Sequence, residues 1–154
     1  MGQQQLLLVI LVTIIVGIAT VVAINTFGTA ANAANIDAVY QDVATFAAAA
    51  QGYYIRPVML GGGGRTFEGI TFNHIAFASQ GVEGGTTAWN MNGKYVITDA
   101  SAAQITLEAH PSSRIVGGIS DRATTAPADA TEGNGVMMAY VCPNRLTWEE
   151  PCAQ

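Results

Sequence analysis

The sequence predicts an α+β fold: a long N-terminal α-helix packed on a small antiparallel β-sheet, with a C-terminal loop between two cysteines. Three observations carry this. Residues 6–24 are almost pure hydrocarbon, an apolar stripe at helical spacing resumes between Ile36 and Ala50, and strand-like patterns cluster after Asn92-Gly93.

The first element is defined by what it lacks. Between Leu6 and Ile24 only Thr13, Gly17 and Thr20 interrupt the aliphatic side chains and alanines, and no Lys or Arg precedes them. At about 1.5 Å per residue the segment spans about 28 Å, close to the hydrocarbon thickness of a bilayer. A secretory signal would carry a basic n-region and a shorter core. A buried core helix would not be apolar on every face for five turns in so small a protein. An ordinary membrane anchor fits in length but lacks the cationic flank that sets orientation. A mature chain whose basic leader has been removed explains the missing charge, with the helix moving from the membrane into a protein assembly.

The helix is expected to continue past "NTFGTAANAAN", with Gly28 as a weak point among Asn25, Thr26 and Thr29. Ile36, Val39, Tyr40, Val43, Phe46, Ala47 and Ala50 then recur at spacings of three and four, and alanine between them favours helix. Gln51-Gly52 and Pro57 predict its end. The organisation is therefore residues 1–27 as apolar helix and residues 28–154 as a globular head that includes the amphipathic half.

The four glycines at 61–64 invite a phosphate-loop reading, but no Walker lysine follows, so a flexible connection is expected. Residues 67–78 alternate weakly and predict a short strand or an irregular cover. Three clearer strands follow at 94–100, 104–110 and 136–141. In the second, Ile105, Leu107 and Ala109 are expected inward and Thr106, Glu108 and His110 outward. Residues 111–135, rich in Gly, Ser, Thr, Ala and Pro, predict a long exposed loop, in which Thr124, Thr125 and Thr131 offer hydroxyls for O-linked sugars.

Composition narrows the function. The 154 residues are 50% hydrophobic and only 11% charged, with a formal net charge of −5. So little charge points to burial in lipid or in partner subunits. Lys94 is the single lysine, and no basic stripe exists to neutralise phosphates, which argues against nucleic acid as a direct partner. Cys142 and Cys152 can form a disulfide, stand as two buried thiols, or supply half a metal site. A disulfide closing a short loop is preferred, since no other cysteine and no nearby histidine completes a tetrahedral set. His74 and His110 lack ligand companions at useful spacing, and Asp99, Asp121 and Asp129 do not follow a calcium-loop pattern. No nucleophile–base arrangement is present, so a non-enzymatic protein with no metal and no cofactor is expected. Tyr40, Tyr53, Tyr54, Phe27 and Phe46 are read as packing between helix and head.

Together, the apolar helix without a basic flank, its amphipathic continuation, the glycine-bearing connection, the antiparallel strands and the C-terminal cysteine pair resemble type IV pilins and their pseudopilin relatives. The architecture matches along the whole chain, the sequence only over its N-terminal third. The resemblance implies a homo-oligomeric helical filament on the cell surface. It also implies an inner-membrane pool before assembly, dedicated pilus assembly machinery, and a Cys142–Cys152 loop on the outer surface. The core positions implied are Leu6, Val9, Ile10, Ile14, Val16, Ile18, Val21 and Ile24. The family carries a glutamate at the fifth mature position. Here Gln5 stands there if Met1 is first, and Leu7 if Gln3 is. Gln3, Gln4 and Gln5 offer amide hydrogen bonds in place of that carboxylate. The family's helix-bending proline is also missing. Two further classes fit the same features: a pseudopilin of a secretion or DNA-uptake machine, and a membrane-anchored monomeric binding module.

Overall fold

The computed structural model of the protein describes residues 2–114, 136–148 and 150–152. Helix α1 is Gly2–Ile55. It passes through Gly28 and Gly52 and stops two residues before Pro57, which has no backbone N–H to continue it. By chain compactness the protein divides into Met1–Ala34 and Asn35–Gln154.

In the second unit a six-stranded antiparallel sheet forms a simple meander: β1 (Gly81–Glu83), β2 (Thr87–Trp89), β3 (Gly93–Ala100), β4 (Ile105–Pro111), β5 (Met137–Val141) and β6 (Leu146–Thr147). The three strands expected from the sequence are β3, β4 and β5. The short β1, β2 and β6 carry too few residues to show a period of two. Register runs Ile97↔Leu107 and Leu107↔Ala139, so Ile97, Leu107 and Ala139 lie side by side across the sheet and all are buried.

Against this face α1 buries Val39, Val43, Phe46, Ala47, Ala50 and Tyr53. Two expected stripe residues differ: Ile36 is half-buried, and Tyr40 is exposed and meets the Trp148 ring edge-on at 4.7 Å. Residues 67–78 form an irregular cover rather than a strand, burying Phe67, Ile70 and Phe72. Phe72 and Phe77 close an aromatic cluster with Phe46 of α1 and Tyr95 of β3, with ring centroids 5.1–6.2 Å apart.

The expected alternation of β4 is incomplete. Thr106 and His110, placed outward by periodicity, are both buried. Strand β4 has neighbours on both sides: Thr106 stands between Asp99 of β3 and Tyr140 of β5, and His110 beside Lys94 of β3, so neighbouring residues flank the outward positions. Burial holds the His110 imidazole below its ordinary pKa, outweighing the opposing pull of Glu108 at 3.6 Å.

The four glycines are not a flexible connection. Successive N–H groups fold back onto the end of α1: Gly63 donates to the Tyr53 carbonyl, Gly64 to Arg56 and Arg65 to Tyr54, at 2.8–3.0 Å. These bonds satisfy carbonyls that the last helical turn would otherwise leave open. The same bonds aim the N–H groups at the helix, so they are not presented to a phosphate. Gly62 and Gly63 are buried, and a Cβ at Gly63 would lie 1.9 Å from the Thr66 carbonyl oxygen.

Candidate functional site

Three features carry chemistry or contact potential, and each is built by a different part of the chain. The first is the surface of α1 within Met1–Ala34. Leu6, Val9, Ile10, Ile14, Val16, Ile18, Val21 and Ile24 are all exposed, at 47–66%. Together with Leu7, Leu8, Leu11, Val12, Ile15 and Val22 they make the helix apolar around its whole circumference. The polar interruptions are internally satisfied: the hydroxyls of Thr13, Thr20, Thr26 and Thr29 donate to the carbonyls of Ile10, Val16, Val22 and Thr26 at 2.8–2.9 Å. A helix whose hydroxyls are turned inward in this way asks nothing polar of its surroundings. It is long and apolar enough to cross a membrane. Phe27, expected to pack against the head, is 75% exposed. It belongs to this apolar cylinder and not to the second unit's aromatic cluster. Gln3, Gln4 and Gln5 are exposed on the first turns, which carry no acidic side chain.

The second feature is the C-terminal loop. Cys142 and Cys152 form a disulfide. The loop does not hang free from it. Its short strand β6 pairs with β5 through Val141↔Leu146 and Tyr140↔Thr147. Gln51 of α1 donates to the Cys142 carbonyl at 3.1 Å, and the Cys152 N–H donates to Gln104 Oε1 at 2.7 Å. Trp148 is set on Tyr40. Beside the disulfide lies an open depression of about 630 Å³, edged by Ser101, Gln104, Asn144 and Arg145.

The third feature was not singled out from the sequence. Asp42 sits on the buried stripe of α1, three residues after Val39 and four before Phe46. One of its oxygens, Oδ2, accepts hydrogen bonds from Asn90 Nδ2 and Asn92 Nδ2 at 2.8 Å and from the Tyr95 hydroxyl at 2.7 Å. The donors come from the turn between β2 and β3 and from β3 itself. Asn35, two helical turns earlier, donates to the Asn92 carbonyl at 2.9 Å and accepts from the Ser113 N–H. A carboxylate on an otherwise apolar stripe was the available signal, because such a group must find donors when the stripe is buried.

Of the titratable residues considered from the sequence, His74 is exposed, bonded to Thr71 Oγ1 and stacked on Tyr53. His110 is buried in β4 and Asp99 is exposed in β3. Asp121, Asp129, Thr124, Thr125, Thr131 and most of the 111–135 loop lie outside the described residues. Among the described residues no three His, Cys, Asp or Glu side chains come together as a metal site. No protein-family model, curated protein or solved structure matches the chain.

Proposed function

We propose that the protein is a structural subunit that polymerises into an extracellular filament of the type IV pilus kind, through parallel packing of its apolar N-terminal helix. The observation that carries this is the bare hydrocarbon surface of residues 6–24, on which no side chain is covered by the rest of the chain. Relative to water, each buried aliphatic side chain is worth about 1.5–3 kcal/mol, which keeps the helix in lipid or among its copies; the exchange of lipid for helices rests on close packing. A dozen such residues per subunit supply cohesion without any single dominant contact. Lipid holds the helix before assembly, and equivalent helices replace the lipid afterwards. A contact between unlike faces of identical subunits repeats into an open helix, whereas a two-fold contact closes on itself.

The exposed glutamines fit the same picture, because amides can bond one another between neighbouring helices without bringing charge into an apolar core. The disulfide-closed loop, tied to α1 through Gln51 and to Gln104 just before β4, suits a head that meets other surfaces as a rigid body. Assembly machinery and removal of a leader belong to this reading.

The test is electron microscopy of material sheared from cells producing the native chain, Val16→Asp or Ile18→Asp. Native cells are expected to shed long filaments. The variants are expected to shed none while their disulfide and head circular dichroism persist. Normal filaments from either variant would overturn the proposal. Native protein that stays monomeric in the membrane would favour an anchored binding module, and short membrane-bound assemblies a pseudopilin.

A further inference from the structure

Asn92-Gly93 is the dipeptide in which spontaneous deamidation is chemically easiest, because glycine puts no side chain in the path of its own nitrogen. Both residues are nevertheless demanded by the fold. A Cβ at Gly93 would lie 2.4 Å from the His110 carbonyl oxygen, so the close approach of β3 to β4 requires glycine. Asn92 must be an amide because its Nδ2 is one of the three donors to Asp42.

The reaction itself is intramolecular. The Gly93 backbone nitrogen loses its proton and bonds to Asn92 Cγ, the Cγ–Nδ2 bond breaks, and ammonia leaves. Water then opens the five-membered imide to an aspartyl or isoaspartyl residue. Each participant is restrained in the folded protein. The Gly93 N–H is held by Asn90 Oδ1 at 3.1 Å and the Asn92 N–H by the same oxygen at 2.9 Å. The Asn92 carbonyl accepts from Asn35 Nδ2 at 2.9 Å and from the Ser112 N–H at 2.8 Å, which fixes the peptide plane that must rotate. The leaving amide is clamped on Asp42 at 2.8 Å.

We infer that Asn92 is a latent self-modification site: the Asp42–Asn90 hydrogen-bond cluster suppresses imide formation, and conversion of Asn92 to a carboxylate in turn opens the cluster. The second half follows from charge. A carboxylate oxygen in place of Nδ2 would stand against Asp42 Oδ2, and two ionised carboxylates at hydrogen-bond distance repel. The site thus converts the time a subunit spends with the cluster open into an irreversible loosening of helix from sheet. The inference is independent of whether the protein forms filaments.

The experiment follows deamidation at position 92 by peptide mass mapping of the full chain in detergent, incubated folded and in denaturant. Folded native protein is expected to convert at least about tenfold more slowly than unfolded, with Asn90→Ala in between while still folded by circular dichroism. Equal rates in the folded and unfolded chains would overturn the protection. For the consequence, Asn92→Asp is expected to lower the melting temperature by about 5–10 °C. Adding Asp42→Asn, which restores a donor opposite the new carboxylate, should recover part of that loss. An Asn92→Asp protein melting with the native chain would overturn the second half.

Discussion

One oxygen of Asp42 takes hydrogen bonds from a tyrosine and two asparagines on the sheet side, so three polar contacts between helix and sheet converge on a single carboxylate. Bonds to a charged acceptor are roughly twice as strong as neutral ones, and leaving a buried partner unpaired costs its full desolvation. Tyr95 is the buried partner. Burial first, and the Asp42 bond second, raise its hydroxyl pKa well above the ordinary 10.0. The folded state therefore keeps a proton that the unfolded chain releases near pH 10, so this contribution is complete below about pH 10 and is lost as pH rises above it. Tyr95→Phe is expected to cost about 1–2 kcal/mol at neutral pH and to flatten the stability loss between about pH 10 and 11. Urea titrations of both proteins across that range check it, and an unchanged alkaline slope would assign the loss to other groups.

At the scale of elements, α1 ends where it does because proline stops it and a glycine turn receives its last carbonyls. That turn is tight enough that side chains are sterically refused. Gly63→Ala would drive a Cβ into the Thr66 carbonyl and the Tyr53 ring. The backbone must shift and give up helix-end hydrogen bonds, at an expected cost of about 2–4 kcal/mol. Thermal unfolding followed at the far-ultraviolet helix signal measures it. A loss below about 0.5 kcal/mol, the usual effect of a surface substitution, would show the turn to be pliable. The disulfide loop is anchored in a similar way, by a side chain from α1 at one cysteine and a side chain preceding β4 at the other.

For the whole molecule the informative fact is the division at Ala34/Asn35. The second unit holds the hydrophobic cluster, the disulfide and the Asp42 bonds, while residues 6–24 of the first bury nothing within the chain. A chain beginning at Asn35 is therefore expected to fold as a soluble monomer with the disulfide formed, to melt cooperatively and to form no filaments. Size-exclusion chromatography and calorimetry of that fragment decide it. Aggregation or a non-cooperative melt would mean that the apolar segment contributes to the head's core. The proposed filament depends on the reverse property, that the apolar segment is cohesive only with other copies or lipid.

The N-terminal helix was legible from the length of its uniform apolar run, its continuation and β4 from their hydrophobic periods, β3 from the Asn-Gly turn before it and β5 from its short apolar run. The cysteine pairing was legible as the preferred of three readings, since few other ligands competed for the thiols. Strands β1, β2 and β6, at two or three residues each, exist only through pairing with neighbours. The buried Thr106 and His110 depend on what lies across the sheet. The glycine run reads as slack along the chain and becomes a rigid cap once the open carbonyls of α1 are beside it. Asp42 is the sharpest case. Sequence places a carboxylate on an apolar stripe, but its three donors lie 48 to 53 residues away, and only the tertiary structure brings them to one oxygen. Local periodicity determined the elements. Periodicity also marked the apolar face by which α1 attaches, but the polar contacts that fix it there join residues far apart in the chain, which no local pattern encodes.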